Sequence, residues 1–247
     1  VGIGFPVKAR QNKVLESFRD FTKIGKALEY ARDIEARPMK RGKFITFEGG
    51  EGVGKSTQAK RLAERLERSG VPVVVTREPG GTPVGEDVRD LIMKDRPTDP
   101  VTEVLLFAAA RAEHVTSVIR PALDDGTWVI SDRFIDSTRV YQGKRYGLEP
   151  ELISLLERYT VSPDFPDLTL ILDLPANEGV ERAQNRGTLS RYDAERIETH
   201  EVLRKGFLEI ATSEPKRCVL IDASLPVSSV ETAVWQAVSA HLLAEAR

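Results

Sequence analysis

The chain has 247 residues, 40% hydrophobic and 30% charged, with a formal net charge of −2. That length accommodates one sizeable α/β domain plus an appendage, and the near-neutral balance argues against a nucleic-acid or membrane-surface binder. One cysteine, Cys218, excludes an intramolecular disulfide and suits a reducing cytosol, so the expected location is cytoplasmic. No apolar run approaches the roughly 20 residues of a membrane helix, and residues 1–10 lack the extended apolar core of a secretory signal.

Residues 1–38 stand apart. Val14, Phe18, Phe21, Leu28 and Ala31 recur at helical intervals and predict an amphipathic helix of about 20 residues. Eight Lys/Arg against five Asp/Glu argue against a transit peptide, which is normally poor in acids. The segment is read as an extension not needed for catalysis, such as an upstream-start artefact, with a docking helix as the alternative. The main domain is then 39–247, beginning near Met39.

Phe44-Ile45-Thr46-Phe47 alternates apolar and polar residues and predicts a strand. Next comes Gly49-Gly50-Glu51-Gly52-Val53-Gly54-Lys55-Ser56-Thr57, which fits G-x-x-x-x-G-K-[ST], the phosphate-binding loop. Ala59, Leu62, Ala63 and Leu66 then follow helical spacing. A strand before and a helix after are the context this motif requires. Glycines let successive backbone N–H groups turn toward phosphate oxygens, and the helix N-terminus adds partial positive charge. Lys55 is placed to reach the β- and γ-phosphates and the Ser56 hydroxyl to ligate Mg²⁺.

Further strands are predicted at Val71–Thr76, Thr127–Ser131, Leu168–Leu172 and Arg217–Ile221. Helical patterns cover about 84–94, 101–119, 136–143, 150–159, 176–186, 195–212 and 227–246. This alternation makes an α/β fold of the P-loop NTPase type, a parallel sheet with helices on both faces. Ligands of such sheets bind outside the carboxyl ends of the strands, so motifs just after strands should converge.

Three motifs sit there. Arg77-Glu78-Pro79-Gly80-Gly81-Thr82 is a tight loop opening on two charges. Asp132-Arg133-Phe134 follows a strand that ends in a carboxylate, a site for Mg²⁺ or its waters, or a structural ion pair. Arg182, Arg186 and Arg191 flank Gly187 in a polar stretch, either a lid closing over a triphosphate or a solvated basic face. Elsewhere Phe107 and Arg111 lie four apart on one helix face, a base-stacking pair or ordinary core. The three histidines form no metal-spaced or catalytic cluster. A D-x-x-G with N-K-x-D, the GTPase pair, is absent, as is an LSGGQ-like transport signature.

From about Lys40 to the end the chain resembles the bacterial thymidylate kinase family. The resemblance rests on Phe47-Glu48-Gly49-Gly50-Glu51-Gly52-Val53-Gly54-Lys55-Ser56-Thr57, on Thr76-Arg77-Glu78-Pro79-Gly80-Gly81-Thr82, on residues 132–143 (DRFIDSTRVYQG), and on an arginine-bearing lid at about 182–196. It implies a nucleoside monophosphate kinase-like fold and the reaction ATP + dTMP → ADP + dTDP, with Mg²⁺ as cofactor and a homodimer as the assembly. The phosphate loop lacks an arginine, which resembles the members that place the catalytic arginine in the lid, here Arg186 or Arg191.

The resemblance also implies residue roles. Arg133 would bridge the phosphates, and Asp132 would orient Arg133 or support the magnesium shell. Phe107 would stack on thymine and Arg111 bond its exocyclic oxygen. Ser137, Thr138 and Gln142 fall in the acceptor motif, with Thr138 facing the polar edge of the base. Tyr141 would pack under the sugar, Glu51 lie near the 3′-OH, and Arg77 near the acceptor phosphate. Arg139 stands where relatives often have a small or uncharged residue, and is read as a solvent-facing side chain without a role. The alternatives are a kinase for another nucleotide, a nucleoside kinase using Glu48 or Glu78 as base, and a nucleotide-binding regulator without turnover.

Overall fold

Every residue of Phe44–Glu48 (β1) is buried, as a central parallel strand covered on both faces requires. The computed structural model describes residues 41–94, 98–185, 192 and 195–243. The helix expected within 1–38 lies outside them. Among the described residues one parallel sheet runs in the order β2-β3-β1-β4-β5, with β2 Val73–Arg77, β3 Trp128–Asp132, β4 Leu168–Asp173 and β5 Cys218–Asp222. All five match expected strands. β2 starts later than its apolar run because Val71 N–H still closes the preceding helix on Leu66 O (3.0 Å), and Pro72 has no N–H to give a ladder.

Among the described residues the α-helices are α1 (Lys55–Arg68), α2 (Pro83–Met93), α3 (Pro100–His114), α4 (Arg120–Asp124), α5 (Ile135–Thr138), α6 (Pro150–Thr160), α7 (Ala176–Gln184), α8 (Ile197–Ser213) and α9 (Val227–Val238). Two start with a side-chain cap before a proline: Thr82 accepts from Gly85 N–H, and Asp99 from Val101 and Thr102 N–H. The single helix expected over 101–119 is α3 joined through a π-helical turn, Val115–Ile119, to α4. A similar turn, Arg139–Arg145, extends α5.

Alternation along β1 sorts the core. Ile45 and Phe47 pack with Leu62 and Leu66 of α1 and Val230 and Val234 of α9. Phe44 faces the other way, against Val115, Ile119 and Phe134. Burial of each such side chain contributes roughly 1.5–3 kcal/mol.

Beneath the same sheet lies a buried polar network, and it corrects the reading of Arg139. Arg139 donates to Glu157 Oε1 (2.6 Å), Glu214 Oε1 (2.6 Å) and Asp136 Oδ1 (3.1 Å). Arg217 grips both oxygens of Asp136, at 2.7 and 3.0 Å. A side chain read as solvated is thus a tie between α5, α6 and the end of α8. Asp136 has two guanidinium partners because a fully buried carboxylate must be compensated.

Register fixes the site. Phe47 of β1 and Arg77 of β2 both stand opposite Asp132 of β3, and Glu48 stands opposite Ile171 of β4. The carboxyl ends of three strands are level, so their loops open into one crevice.

Candidate active site

The loop between β1 and α1 wraps with Gly49, Gly52 and Gly54 at φ 131°, 70° and 93°, conformations open to glycine. At Gly52 a Cβ would also stand 1.9 Å from Gly179 O of α7. Lys55 leaves the first turn of α1 and folds back to donate to Gly49 O (3.2 Å) and Gly50 O (2.5 Å). Ser56 Oγ donates to Asp132 Oδ2 across the crevice.

Arg133 is a non-glycine residue at φ 72°, a costly conformation. The bonds that hold it there are Arg133 N–H to Phe47 O (2.9 Å), Nη1 to Gly49 O (3.0 Å), Nη1 to Ser137 Oγ (3.1 Å) and Nη2 to Glu51 Oε1 (2.7 Å). Its guanidinium also lies over the Tyr141 ring, 5.0 Å from the centroid. Glu51, and not Asp132, therefore orients Arg133; Asp132 is engaged by Ser56.

Glu48 underpins this turn. Its fully buried carboxylate accepts from Phe134 N–H (2.8 Å), Ser137 N–H (3.2 Å) and Ser137 Oγ (2.6 Å). Burial, with the charge of Asp136 nearby, pushes Glu48 up to about 7 despite those donors. Burial would likewise raise Glu51, but Arg133, Lys55 and the Tyr141 hydroxyl outweigh it and hold that carboxyl down at about 2. Burial and the Arg133 charge lower Lys55 to about 8.

Two adjoining cavities share this wall. One, of about 210 Å³, is lined by Gly52, Gly54, Lys55, Ser56, Thr57, Arg77 and Asp132. The other, of about 240 Å³, is lined by Phe107, Arg111, Ser137, Thr138, Tyr141 and Gln142. Glu51, Glu78, Arg89 and Arg133 border both. Residues expected from separate motifs thus come together.

In the second cavity Arg111 is buried, its Nε donating to Glu78 Oε2 at 2.7 Å. Gln142 Nε2 donates to Glu103 Oε1 at 2.8 Å, and Tyr141 O–H to Glu51 Oε1 at 2.9 Å. The Thr138 hydroxyl is buried without a hydrogen-bond partner, an acceptor and donor held for something that enters the cavity. Arg77 makes a half-exposed pair with Glu86 in which one nitrogen, Nη2, donates to both carboxylate oxygens at 2.9 Å.

Sequence reading missed Arg89, Met93 and Tyr192 in the cavity wall. Gly85, Arg89 and Met93 are spaced by four on α2, which was the available signal. Arg89 Nη1 donates to Pro79 O at 3.0 Å, so the Gly-Gly loop aims it. Arg182 sits in α7 and donates to Ala223 O (3.0 Å). Arg186 and Arg191 lie outside the described residues. A crevice with one wall of phosphate-binding amides and cations, and another of aromatic and hydrogen-bonding groups, can hold a triphosphate against a second nucleotide.

Residues 47–234 match the family model for thymidylate kinase. The chain is 50% identical over 207 residues to the thymidylate kinase of Bradyrhizobium sp. strain ORS 278, covering 82% of this chain and 92% of the relative. It is also 50% identical over 207 residues to that of Caulobacter vibrioides, covering 83% and 99%. A crystal structure of thymidylate kinase from Ehrlichia chaffeensis superposes with a TM-score of 0.65 at 37% identity, over 79% of this chain and 98% of that one.

Proposed function

The chain belongs to the thymidylate kinase family and, with Mg²⁺, moves the γ-phosphoryl group of ATP to dTMP; from that premise we propose that transfer is in line, needs no general base, and crosses the wall shared by the two cavities. The observation that carries this is the position of Arg133, which borders both cavities and is locked to the phosphate loop through Gly49 and Glu51.

The acceptor is a phosphate oxygen, largely ionised at neutral pH. The carboxylates a nucleoside kinase would use as base are already committed: Glu48 to Phe134 and Ser137, Glu78 to Arg111 and His114. What remains is positioning and charge stabilisation. Lys55 and the loop amides hold the donor phosphates, releasing Lys55 from the Gly49 and Gly50 carbonyls it occupies. Arg133 and Arg89 face both phosphate chains, and Arg77, on the phosphate-loop side of the shared wall, meets the acceptor phosphate where it approaches the donor. Phe107 stacks on the base, Arg111 and Thr138 read its polar edge, and Tyr141 supports the sugar beside Glu51.

Ser56 and Asp132 suit magnesium, because a hydroxyl and a carboxylate side by side are hard oxygen donors and the substrate phosphates complete such sites. Bound there, the ion would neutralise phosphate charge. The loop carries Glu51-Gly52-Val53 and no arginine, so the cation that closes over the moving group is Arg186 or Arg191.

Residues 39–247 form the catalytic domain; the residues assigned to phosphate, base, sugar and magnesium lie between 49 and 191. The assembly is a homodimer. Val101 and Leu105 of α3 and Leu155 and Tyr159 of α6 are exposed on helices that pack together, an apolar surface that light scattering tests. No helix among the described residues is long and apolar enough to cross a membrane, and an ATP-dependent step suits the cytoplasm. ADP release measured with dTMP, dUMP, dCMP, dAMP and thymidine in turn tests the whole reading. Turnover with thymidine but not dTMP would overturn it, as would equal turnover with all monophosphates.

A further inference from the structure

Behind Arg111 runs a chain of buried polar groups that the reaction does not use directly. Arg111 Nε donates to Glu78 Oε2 (2.7 Å), and Arg111 Nη2 to Phe134 O (3.2 Å). His114 Nδ1 meets the other Glu78 oxygen at 3.0 Å, and His114 Nε2 meets Thr76 Oγ1 at 2.7 Å. His114 is fully buried and Glu78 and Arg111 nearly so. With a neutral imidazole, one proton arrangement satisfies every contact: Thr76 O–H donates to Nε2, Nδ1–H donates to the Glu78 carboxylate, and Glu78 accepts from Arg111.

The loop is built over this chain. At Gly81, with φ 79°, a Cβ would stand 2.6 Å from Thr76 Oγ1 and 2.7 Å from His114 Nε2. The second glycine of the Pro-Gly-Gly turn therefore admits the far end of the chain, and the glutamate of the same loop is its middle. Phe107, Arg111 and His114 are spaced four and three apart on α3, so one helix face carries the stacking ring, the guanidinium and the histidine. With Nε and one Nη2 hydrogen committed, the other Arg111 N–H groups are those left for a ligand in the cavity that Arg111 lines.

We propose that Thr76, His114 and Glu78 are positioning residues that fix the Arg111 guanidinium in one orientation and thereby set which base the acceptor cavity takes. This rests on the placement of Arg111 at the base edge given above. An immobile guanidinium can only donate. A pyrimidine with a carbonyl oxygen at that edge satisfies it, whereas an amino group there leaves two donors facing each other. A site that cannot relax rejects the mismatch by the full cost of unpaired groups. Loosening the chain lets Arg111 turn aside, which weakens dTMP binding and removes the penalty on dCMP.

The test compares kcat and KM for dTMP, dCMP and ATP in the full chain carrying T76V, H114L, H114N or R111K. T76V is close to isosteric and leaves Nε2 without its donor, so it carries the comparison if H114L does not fold, as thermal melts will show. Expected is about a tenfold rise in KM for dTMP and a similar fall in dTMP-over-dCMP discrimination for T76V and H114L, with KM for ATP unchanged. H114N keeps a donor facing Glu78 but gives up the Thr76 contact, so it should lose discrimination as T76V does and less than H114L. If R111K weakens dTMP while T76V leaves both dTMP affinity and discrimination at wild-type values, the positioning chain is wrong. If R111K itself leaves dTMP affinity unchanged, the placement of Arg111 fails first.

Discussion

Glu51 and Arg133 meet at 2.7 Å, joining the phosphate loop after β1 to the turn after β3. The pair is mostly buried, and Glu51 also accepts from Tyr141. Substituting Glu51→Gln leaves the Arg133 charge with carbonyl and hydroxyl partners only. A loss of roughly 1–3 kcal/mol in stability follows, with a fall of about 10–100-fold in kcat/KM for dTMP. The pH sign is fixed by the lowered carboxyl. Glu51 titrates near 4.5 unfolded and near 2 folded, so its contribution is complete above about 4.5 and lost as pH falls toward 2. Denaturation curves of the wild type and E51Q should converge across that window; a constant gap would show that the ion pair is not the cause.

Lys55 behaves oppositely. Its folded value of about 8 lies below the ordinary 10.5, so between those values the unfolded chain holds a proton that the folded chain has lost. Stability gained from this group therefore rises with pH across that window. Catalysis shows the other side. Above about pH 8 the free enzyme loses the ammonium that meets donor phosphate, and kcat/KM for ATP should fall there. Bound polyphosphate favours the charged form, so the same limb in kcat should appear at higher pH. Lys55→Met should reduce turnover by about 10³ or more; near-normal activity would remove Lys55 from the site.

Arg111→Ala should raise KM for dTMP about 10–100-fold while leaving KM for ATP nearly unchanged. It also strands Glu78, whose remaining partner is His114, so a stability loss of a few kcal/mol accompanies the kinetic effect. Equal increases in both Michaelis constants would place Arg111 outside the base side of the crevice.

The sheet was legible because hydrophobic runs punctuated by charged loops report parallel strands directly, and the phosphate loop because its glycines are a local requirement. Level strand ends then made Asp132, Arg77 and Glu48 neighbours, as the placement of motifs after strands implied. Arg89 and His114 were not legible as site residues. Each sits inside an ordinary amphipathic helix, and its direction is set by a carbonyl or carboxylate on another segment. Arg139 was misread for the same reason: Glu157 and Glu214, which hold it, are 18 and 75 residues away. Long-range compensation of buried charge has no local pattern to read.

The lid arginines are separable from binding. Arg186→Ala or Arg191→Ala should lower kcat by about 10²–10³ with dTMP affinity retained. Only the residue that closes over the moving phosphoryl group should do so, and the other should act mainly on KM for ATP. If both are silent the stabilising cation lies elsewhere, and Arg182 is the next arginine of that stretch to test.

Gly179 gives a prediction independent of charge. It lies in α7, whose C-terminus leads into the 186–191 stretch, and its backbone abuts the phosphate loop. A Cβ on Gly179 would stand 2.5 Å from Glu51 O, and Gly179 O already blocks a Cβ on Gly52. Both obstacles are backbone, so neither can be relieved by turning a side chain. Gly179→Ala must push Glu51-Gly52 away from α7, toward the crevice that Arg133 and Lys55 share. The helix itself gains from alanine by roughly 1 kcal/mol, so overpacking of about 1–3 kcal/mol leaves the net stability change small. Activity should instead fall about 10-fold or more, because a loop displaced by a few tenths of an ångström misplaces the amides that face phosphate. Thermal melts and steady-state kinetics on G179A distinguish the cases: intact melting with depressed kcat/KM for ATP supports a rigid contact between α7 and the loop, whereas wild-type kinetics would show that the helix yields instead.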